Sequence, residues 1–93
     1  VWGCGDTLVN LYSRLKMEEW NIIGLFDGSE LKIGRVIKGF KVQNLEKLRL
    51  YIDIADIVVT FIPSNREEAL TLRLRRLGWN KEVIHVGKYK YYR

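Results

Sequence analysis

Short runs of apolar residues alternate along the chain with stretches in which apolar residues recur every three or four positions. The first pattern is typical of strands buried on both faces, and the second of amphipathic helices. The strongest strand signal runs from Asp56 to Pro63, because it is β-branched and aromatic and ends at the only proline. The alternation predicts the order strand, helix, strand, turn, helix, strand, helix, strand.

The first half of the chain predicts a strand, a helix and a second strand. Val1 and Trp2 are expected to end a strand that begins upstream, and a helix should follow to about Glu19 with Asp6 or Thr7 as its N-cap. A second buried strand is predicted over residues 21–26, ending at Asp27. Residues 31–42 are expected to be a loop with a short extended piece, followed by a modest helix from Leu45.

The second half predicts a well-bounded helix and a last strand. Ser64 and Glu67 have the spacing of a capping box, in which each side chain bonds the other residue's backbone amide. Gly78 is expected to end this helix in a left-handed conformation, and a strand should follow over residues 83–86. The buried stripe of the helix is predicted to consist of Leu70, Leu74 and Leu77.

Short connections between alternating strands and helices favour parallel strands with right-handed crossovers. We therefore expect an α/β domain of three layers, with about four or five parallel strands and helices on both faces. The 93 residues are enough for one domain. The lone Cys4 and the lack of an apolar run of roughly 20 residues favour a cytoplasmic protein that does not enter the membrane.

Charge is distributed unevenly. Residues 1–65 carry eight basic and eight acidic side chains, whereas residues 66–93 carry eight basic and three acidic ones, so the net charge of +5 lies in the last third. A solvated helix face explains such an excess of positive charge. The alternative is a nucleic-acid-binding surface, because the tail of residues 87–93 interleaves tyrosines with cations. Together with Arg73, Arg75 and Arg76 it would form a basic face.

Four residues are predicted to meet where ligands of such sheets bind, outside the carboxyl ends of the strands. Gly3 and Gly5 follow the first strand, where missing side chains allow a phosphate to approach the backbone, the alternative being a purely structural tight turn. Leu8 departs from the third glycine of the dinucleotide fingerprint. Asp27 ends the second strand, where a carboxylate binds a ribose hydroxyl of NAD or closes an Asp-Gly-Ser turn. Ser64 follows the strand that ends at the proline.

Catalysis is not predicted for this domain by itself. Cys4 and His85 are the only cysteine and histidine, and they belong to the first and last parts of the predicted sheet, so we expect two isolated structural residues. One cysteine and one histidine also fall short of a structural metal site.

Three stretches resemble a known group of domains: V-W-G-C-G at residues 1–5, G-L-F-D at residues 24–27, and K-I-G-R-V-I-K-G-F-K-V at residues 32–42. They are similar to the Rossmann-like domains of Rex-type redox repressors, of CoA-binding proteins, and of nucleoside-diphosphate-sugar dehydratases and sugar acyltransferases. The resemblance covers about residues 1–86, which would form one domain ahead of the basic tail of residues 87–93.

The resemblance implies a nucleotide-binding domain within a larger enzyme or regulator. That larger protein could act in nucleotide-sugar or polysaccharide metabolism. NAD is the expected ligand, with CoA or a nucleotide sugar as alternatives, and the contacts would be made by Gly3, Gly5, Asp27 and Ser64. Expected partners are another domain of the parent protein and a second copy of the chain. The alternatives are nucleic-acid binding by the basic face, or an interaction module with Trp20 and Trp79 exposed as contacts.

Overall fold

The computed structural model describes residues 1–86, which form five strands and two α-helices. None of the helices in this part of the chain is long and apolar enough to cross a membrane. The strands are β1 (Leu25–Asp27), β2 (Val36–Ile37), β3 (Phe40–Asn44), β4 (Ile57–Thr60) and β5 (Glu82–His85), the α-helices are α1 (Asp6–Leu11) and α2 (Glu67–Arg76), and 3₁₀ helices cover Met17–Glu19, Leu45–Tyr51 and Ser64–Arg66.

The strands lie in a three-stranded sheet and a two-stranded sheet. β3 pairs in parallel with β1 and antiparallel with β2, while β4 pairs in parallel with β5. Trp2 links the two sheets through isolated parallel bridges to Phe26 in β1 and to Thr60 in β4. The domain is therefore mixed α/β, and the predicted parallel pairing is confirmed for four strands and wrong for β2.

A hairpin occupies the segment predicted as a loop. The expected extended piece is β2, but β3, which pairs directly with β1, was not predicted. The hairpin turns at Lys38 and Gly39, with φ angles of 52° and 85°. Positive φ at both central residues is what a two-residue type I′ turn requires, and glycine favours it at the second position.

The first helix is much shorter than predicted, because α1 ends at Leu11 instead of near Glu19. Lys16 adopts a left-handed conformation with φ of 52°, and the Met17 amide donates to the carbonyl of Tyr12 at 2.9 Å. This turn places the Met17 side chain in the core, where it is completely buried. The predicted N-cap is also wrong, since Gly5 occupies that position and no side chain caps the helix.

The predicted capping box before α2 is wrong. Ser64 begins a 3₁₀ turn, in which the Arg66 amide donates to the carbonyl of Pro63 at 2.9 Å. The α-helix begins only at Glu67, with Arg66 at its N-cap position and no side-chain cap. The rest of the helix is as predicted: Gly78 follows it with φ of 95°, and its buried stripe consists of Leu70, Leu74 and Leu77.

Two apolar clusters make up the core. Leu25 and Phe26 are neighbours in β1 but belong to different clusters, and successive strand residues point to opposite faces. The two clusters therefore lie on opposite faces of the sheet. The cluster beside α2 contains Trp2, Phe26, Leu45, Leu48, Val58, Leu70, Leu74, Leu77 and Trp79, and the cluster beside α1 contains Cys4, Leu8, Leu11, Met17, Leu25, Val42, Phe61 and Val86.

Trp79 is not the exposed contact that the interaction-module alternative expected. Its side chain is 1% exposed, because the chain turns at Gly78 and the indole packs in the core cluster that contains the leucines of α2. The indole N–H donates to the carbonyl of Glu82 at 3.3 Å, so its polar atom is satisfied inside the core. Trp20 is 36% exposed.

The two faces of α2 give a direct test of this core. Leu74→Ala removes a side chain that is 1% exposed and should reduce the free energy of unfolding by about 2–5 kcal/mol. Leu72→Ala is the matched control, since Leu72 is 50% exposed on the same helix and its loss should change stability by less than about 0.5 kcal/mol. Urea denaturation followed by circular dichroism measures both, and similar losses would contradict the described packing.

Candidate functional site

The carboxylate of Asp27 ties the end of β1 to two neighbouring backbone segments. Its Oδ2 accepts the Cys4 amide at 2.8 Å, and its Oδ1 accepts the Ser29 amide at 2.8 Å. The bond to Ser29 closes the turn that was predicted as the structural role of Asp27. The bond to Cys4 holds the loop of residues 3–5, called here the glycine loop, against the end of β1. Asp27 is 7% exposed, and its contact with a ribose stays a prediction.

Gly3 lies where the glycine loop passes close to the segment after β4. Its amide donates to the carbonyl of Phe26 at 3.0 Å, and its φ is 96°. A Cβ at this position would lie 2.8 Å from the carbonyl oxygen of Phe61, which is closer than real Cβ atoms approach. Gly3 is therefore required by the fold itself, whatever it contributes to a ligand.

Gly5 differs from Gly3, because no backbone packs closely against it. Its φ of −96° is accessible to any residue, and a Cβ there would meet only the Lys32 side chain, with Nζ 3.1 Å away. Beside Gly5 is a cavity of about 440 Å³, lined by Cys4, Gly5, Asp6, Val9, Lys32, Arg35, Val36 and Ile37. The missing side chain of Gly5 thus leaves backbone exposed to this cavity.

Two cations of the cavity, Lys32 and Arg35, were not singled out from the sequence. The Lys32 ammonium lies 3.9 Å from Oδ2 of Asp27, so it is near the acidic end of β1 as well as the glycine loop. The signal that would have found them is two basic residues, three positions apart, in a loop that follows the carboxyl end of a strand. Such a loop faces the ligand-binding edge of a parallel sheet.

Cys4 is a structural residue of the loop. Its side chain is 2% exposed, and the Sγ donates to the carbonyl of Phe26 at 3.4 Å. Burial raises the pKa of the thiol to about 11, and the negative charge of Asp27 adds to this effect. The thiol is therefore protonated near neutral pH and is a poor nucleophile.

The segment after β4 approaches Gly3 at Phe61 and Ile62. Ile62 would lie 3.2 Å from a Cβ at Gly3, and Phe61 packs in the same core cluster as Cys4. Ser64 lies two positions farther along and is exposed in its 3₁₀ turn. The structure thus brings Gly3, Gly5 and Asp27 together.

His85 belongs to a separate polar cluster at the same edge of the sheet. Its Nδ1 lies 2.7 Å from Oγ1 of Thr60, in a hydrogen bond between β5 and β4, and 3.8 Å from Oε2 of Glu67. Thr60 is completely buried, and Glu67 is 9% exposed. This cluster joins the first residue of α2 to the carboxyl ends of both strands. Cys4 hydrogen-bonds to Phe26 instead, so Cys4 and His85 have different hydrogen-bond partners.

A second, larger cavity is at the other edge of the sheet. It has a volume of about 630 Å³ and a mainly apolar lining that includes Val1, Ile23, Gly24 and Ile57. Gly24 precedes β1 and Ile57 begins β4, so the cavity lies at the amino ends of these strands. Its size does not make it the nucleotide site, because a diphosphate requires polar and cationic partners.

The basic face predicted near the C-terminus is described only in part, since residues 87–93 lie outside the described part of the chain. Arg73, Arg75 and Arg76 are exposed on α2. The Arg73 guanidinium lies over the Trp2 ring at 5.7 Å, where it also covers part of the core.

These observations define a class of domain: a mixed α/β domain with a glycine loop, an acidic strand end and a cationic cavity at the carboxyl edge of its parallel strands. The chain is similar to the redox-sensing transcriptional repressor Rex of Thermosipho africanus, with 30% identity over 76 residues. These residues are 80% of this chain and 36% of the repressor. The resemblance to Rex-type repressors predicted from the sequence is confirmed.

The fold is similar to a solved structure as well. The crystal structure of RSP, a Rex-family repressor, matches with a TM-score of 0.64 and 22% identity, over 90% of this chain and 43% of that chain. No protein-family model matches the sequence. The chain therefore has a Rex-like fold and spans less than half the length of the repressors it matches.

Replacing Gly3 by alanine should strongly destabilise the domain. Gly3→Ala combines a left-handed conformation with the Phe61 contact, and we expect a loss of more than about 2 kcal/mol in the free energy of unfolding. Gly34→Ala is the control, since its φ is 91° but nothing lies within 4 Å of the new Cβ, so it should cost only about 1 kcal/mol. Equal losses in urea denaturation would mean that the Phe61 contact is unimportant.

Cys4 should react slowly with alkylating reagents. With a pKa of about 11, its thiolate fraction at pH 8 is about 100-fold smaller than that of a thiol at the ordinary value. Iodoacetamide labelling followed by mass spectrometry should therefore be at least about 100-fold slower in the folded chain than in the same chain in urea. Comparable rates would show that the glycine loop opens readily.

Proposed function

We propose that this chain is the NAD(H)-binding domain of a redox-sensing transcriptional regulator. The observation that carries the proposal is the open cavity beside Gly5, next to the carboxylate of Asp27 at the carboxyl edge of the strands. The similarity to a redox-sensing transcriptional repressor over 80% of the chain supports the same function. Because that similarity covers 36% of the repressor, the regulatory role includes further parts of a larger protein.

The residues at this edge fit a dinucleotide. Gly5 would let the diphosphate approach the backbone, since no side chain stands between them except the flexible end of Lys32. A carboxylate has about four acceptor positions, and the two backbone amides at Asp27 use two, so acceptor positions remain for a ribose hydroxyl. Ser64 would contribute its hydroxyl from the exposed turn after β4.

Thermal melting of the chain with millimolar NAD, NADH, CoA, ATP or a UDP-sugar tests the proposal. A ligand present at 100 times its dissociation constant stabilises the folded state by about 2.7 kcal/mol, which raises the melting temperature by several degrees. We expect such a rise with NAD or NADH. Gly5→Ala should abolish it, because the new methyl group would occupy the path of the diphosphate.

Gly5→Ala is suited to this test because its backbone conformation needs no glycine, so the ligand-free melting temperature should stay close to that of the original chain. Asp27→Ala is a less specific variant, since it also removes the bonds to Cys4 and Ser29. A rise with CoA or the UDP-sugar alone would replace NAD by that ligand. No rise with any nucleotide would contradict nucleotide binding by this chain.

A further inference from the structure

The cavity beside Gly5 carries two positive charges on one segment. Lys32 and Arg35 both line it, from the stretch between β1 and β2. This stretch is held by backbone bonds, with the Lys32 amide donating to Ser29 at 3.0 Å and the Gly34 amide donating to Val42 at 2.8 Å. The Val42 amide in turn donates to the carbonyl of Arg35 at 2.7 Å. The cations are thus presented from a backbone anchored to β3.

Both cations have donors left for a ligand. The distance of 3.9 Å between Lys32 and Asp27 is longer than a charge-assisted hydrogen bond of about 2.7–2.9 Å, and the Lys32 side chain is 37% exposed. Arg35 is exposed and forms no ion pair with any carboxylate of residues 1–86. An anion entering the cavity would therefore meet an ammonium and a guanidinium that are not consumed by internal bonds.

The glycine loop needs such help to hold a diphosphate. The following helix α1 has six residues, so its dipole is a small source of positive potential. Leu8 replaces the third glycine of the dinucleotide pattern and is completely buried. The positive charge opposite the Gly5 backbone comes instead from the Lys32 and Arg35 side chains.

We propose that Lys32 and Arg35 bind the diphosphate of the nucleotide, a role that rests on the proposed function of the same cavity. Two cations can each donate charge-assisted hydrogen bonds to a diphosphate, and arginine can donate two in parallel. Val9 and Val36 line the same cavity and are 49% and 69% exposed. This apolar wall fits the ring of a nucleoside, so the ligand is a nucleoside diphosphate derivative.

Asp6 opposes the two cations. It is exposed, lines the same cavity and carries the same sign of charge as the ligand. Removing its charge should therefore strengthen binding of an anion, whereas removing either positive charge should weaken it. This gives variants with effects in opposite directions at one site.

Isothermal titration calorimetry with inorganic pyrophosphate and with NADH tests the proposal at low ionic strength. Lys32→Gln and Arg35→Gln should each weaken binding of both ligands by about 10- to 100-fold. Asp6→Asn should tighten both. Lys38→Gln is the matched control, since Lys38 lies over the Tyr12 ring at 5.2 Å, outside the cavity, and loses the same unit of charge. It should change affinity by less than about twofold.

The outcomes separate this proposal from the proposed function. If NADH binds and Lys32→Gln and Arg35→Gln bind it as well as the original chain, the role of the two cations is wrong and dinucleotide binding stands. If pyrophosphate binds with the expected pattern but NADH does not, the cation site stands and dinucleotide binding is wrong. Binding of neither ligand overturns both, and an equal loss in Lys38→Gln would overturn the specific role of the two cations in favour of a general effect of net charge.

Discussion

The backbone of Trp2 holds the two sheets together, and the rest of the domain depends on it. Its amide donates to the carbonyl of Val59 and its carbonyl accepts the Phe61 amide, both at 2.8 Å. On its other side, the Phe26 amide donates to the carbonyl of Val1 and the Gly3 amide donates to the carbonyl of Phe26. This short segment thus connects β1 with β4 and places the glycine loop directly between their carboxyl ends.

The position of Asp27 follows from this arrangement. A carboxylate that is 7% exposed is stable only if its charge is compensated, and here two backbone amides do so. The same bonds connect the glycine loop to the end of β1 without any ligand. When a loop is already ordered, ligand binding carries a smaller entropic cost, and the affinity is higher. The structural and binding interpretations of Asp27 are therefore compatible.

The parts of the fold that were predictable are those fixed by local sequence. The β-branched run of β4, the leucines of α2 and the left-handed Gly78 each follow from a few neighbouring residues. β3 was missed because it is stabilised by pairing with β1, which lies far from it in sequence.

The wrong helix boundaries and the partly predicted site have related causes. Tertiary packing outweighed the local sequence signals at both boundaries. The first helix ends early where Met17 is buried, and a 3₁₀ turn at Ser64 stands in place of the predicted capping box. Gly3, Gly5 and Asp27 could be proposed from the sequence because the end of a strand is visible there. Lys32 and Arg35 could not be proposed, because the cavity that they line depends on where their loop lies in the fold.

The two sheet edges differ in how well their chemistry suits the proposed nucleotide. At the amino ends, the cavity of about 630 Å³ is lined mainly by apolar side chains, and a diphosphate there would lose its water without gaining donors. At the carboxyl ends, the smaller cavity offers the open backbone of Gly5 and two cations with donors to spare. The polar cluster of Thr60, Glu67 and His85 joins α2 to this same edge. The cavity at the amino ends is larger, but desolvating a diphosphate there would cost more free energy than its size could offset. We therefore expect the nucleotide in the cavity at the carboxyl ends.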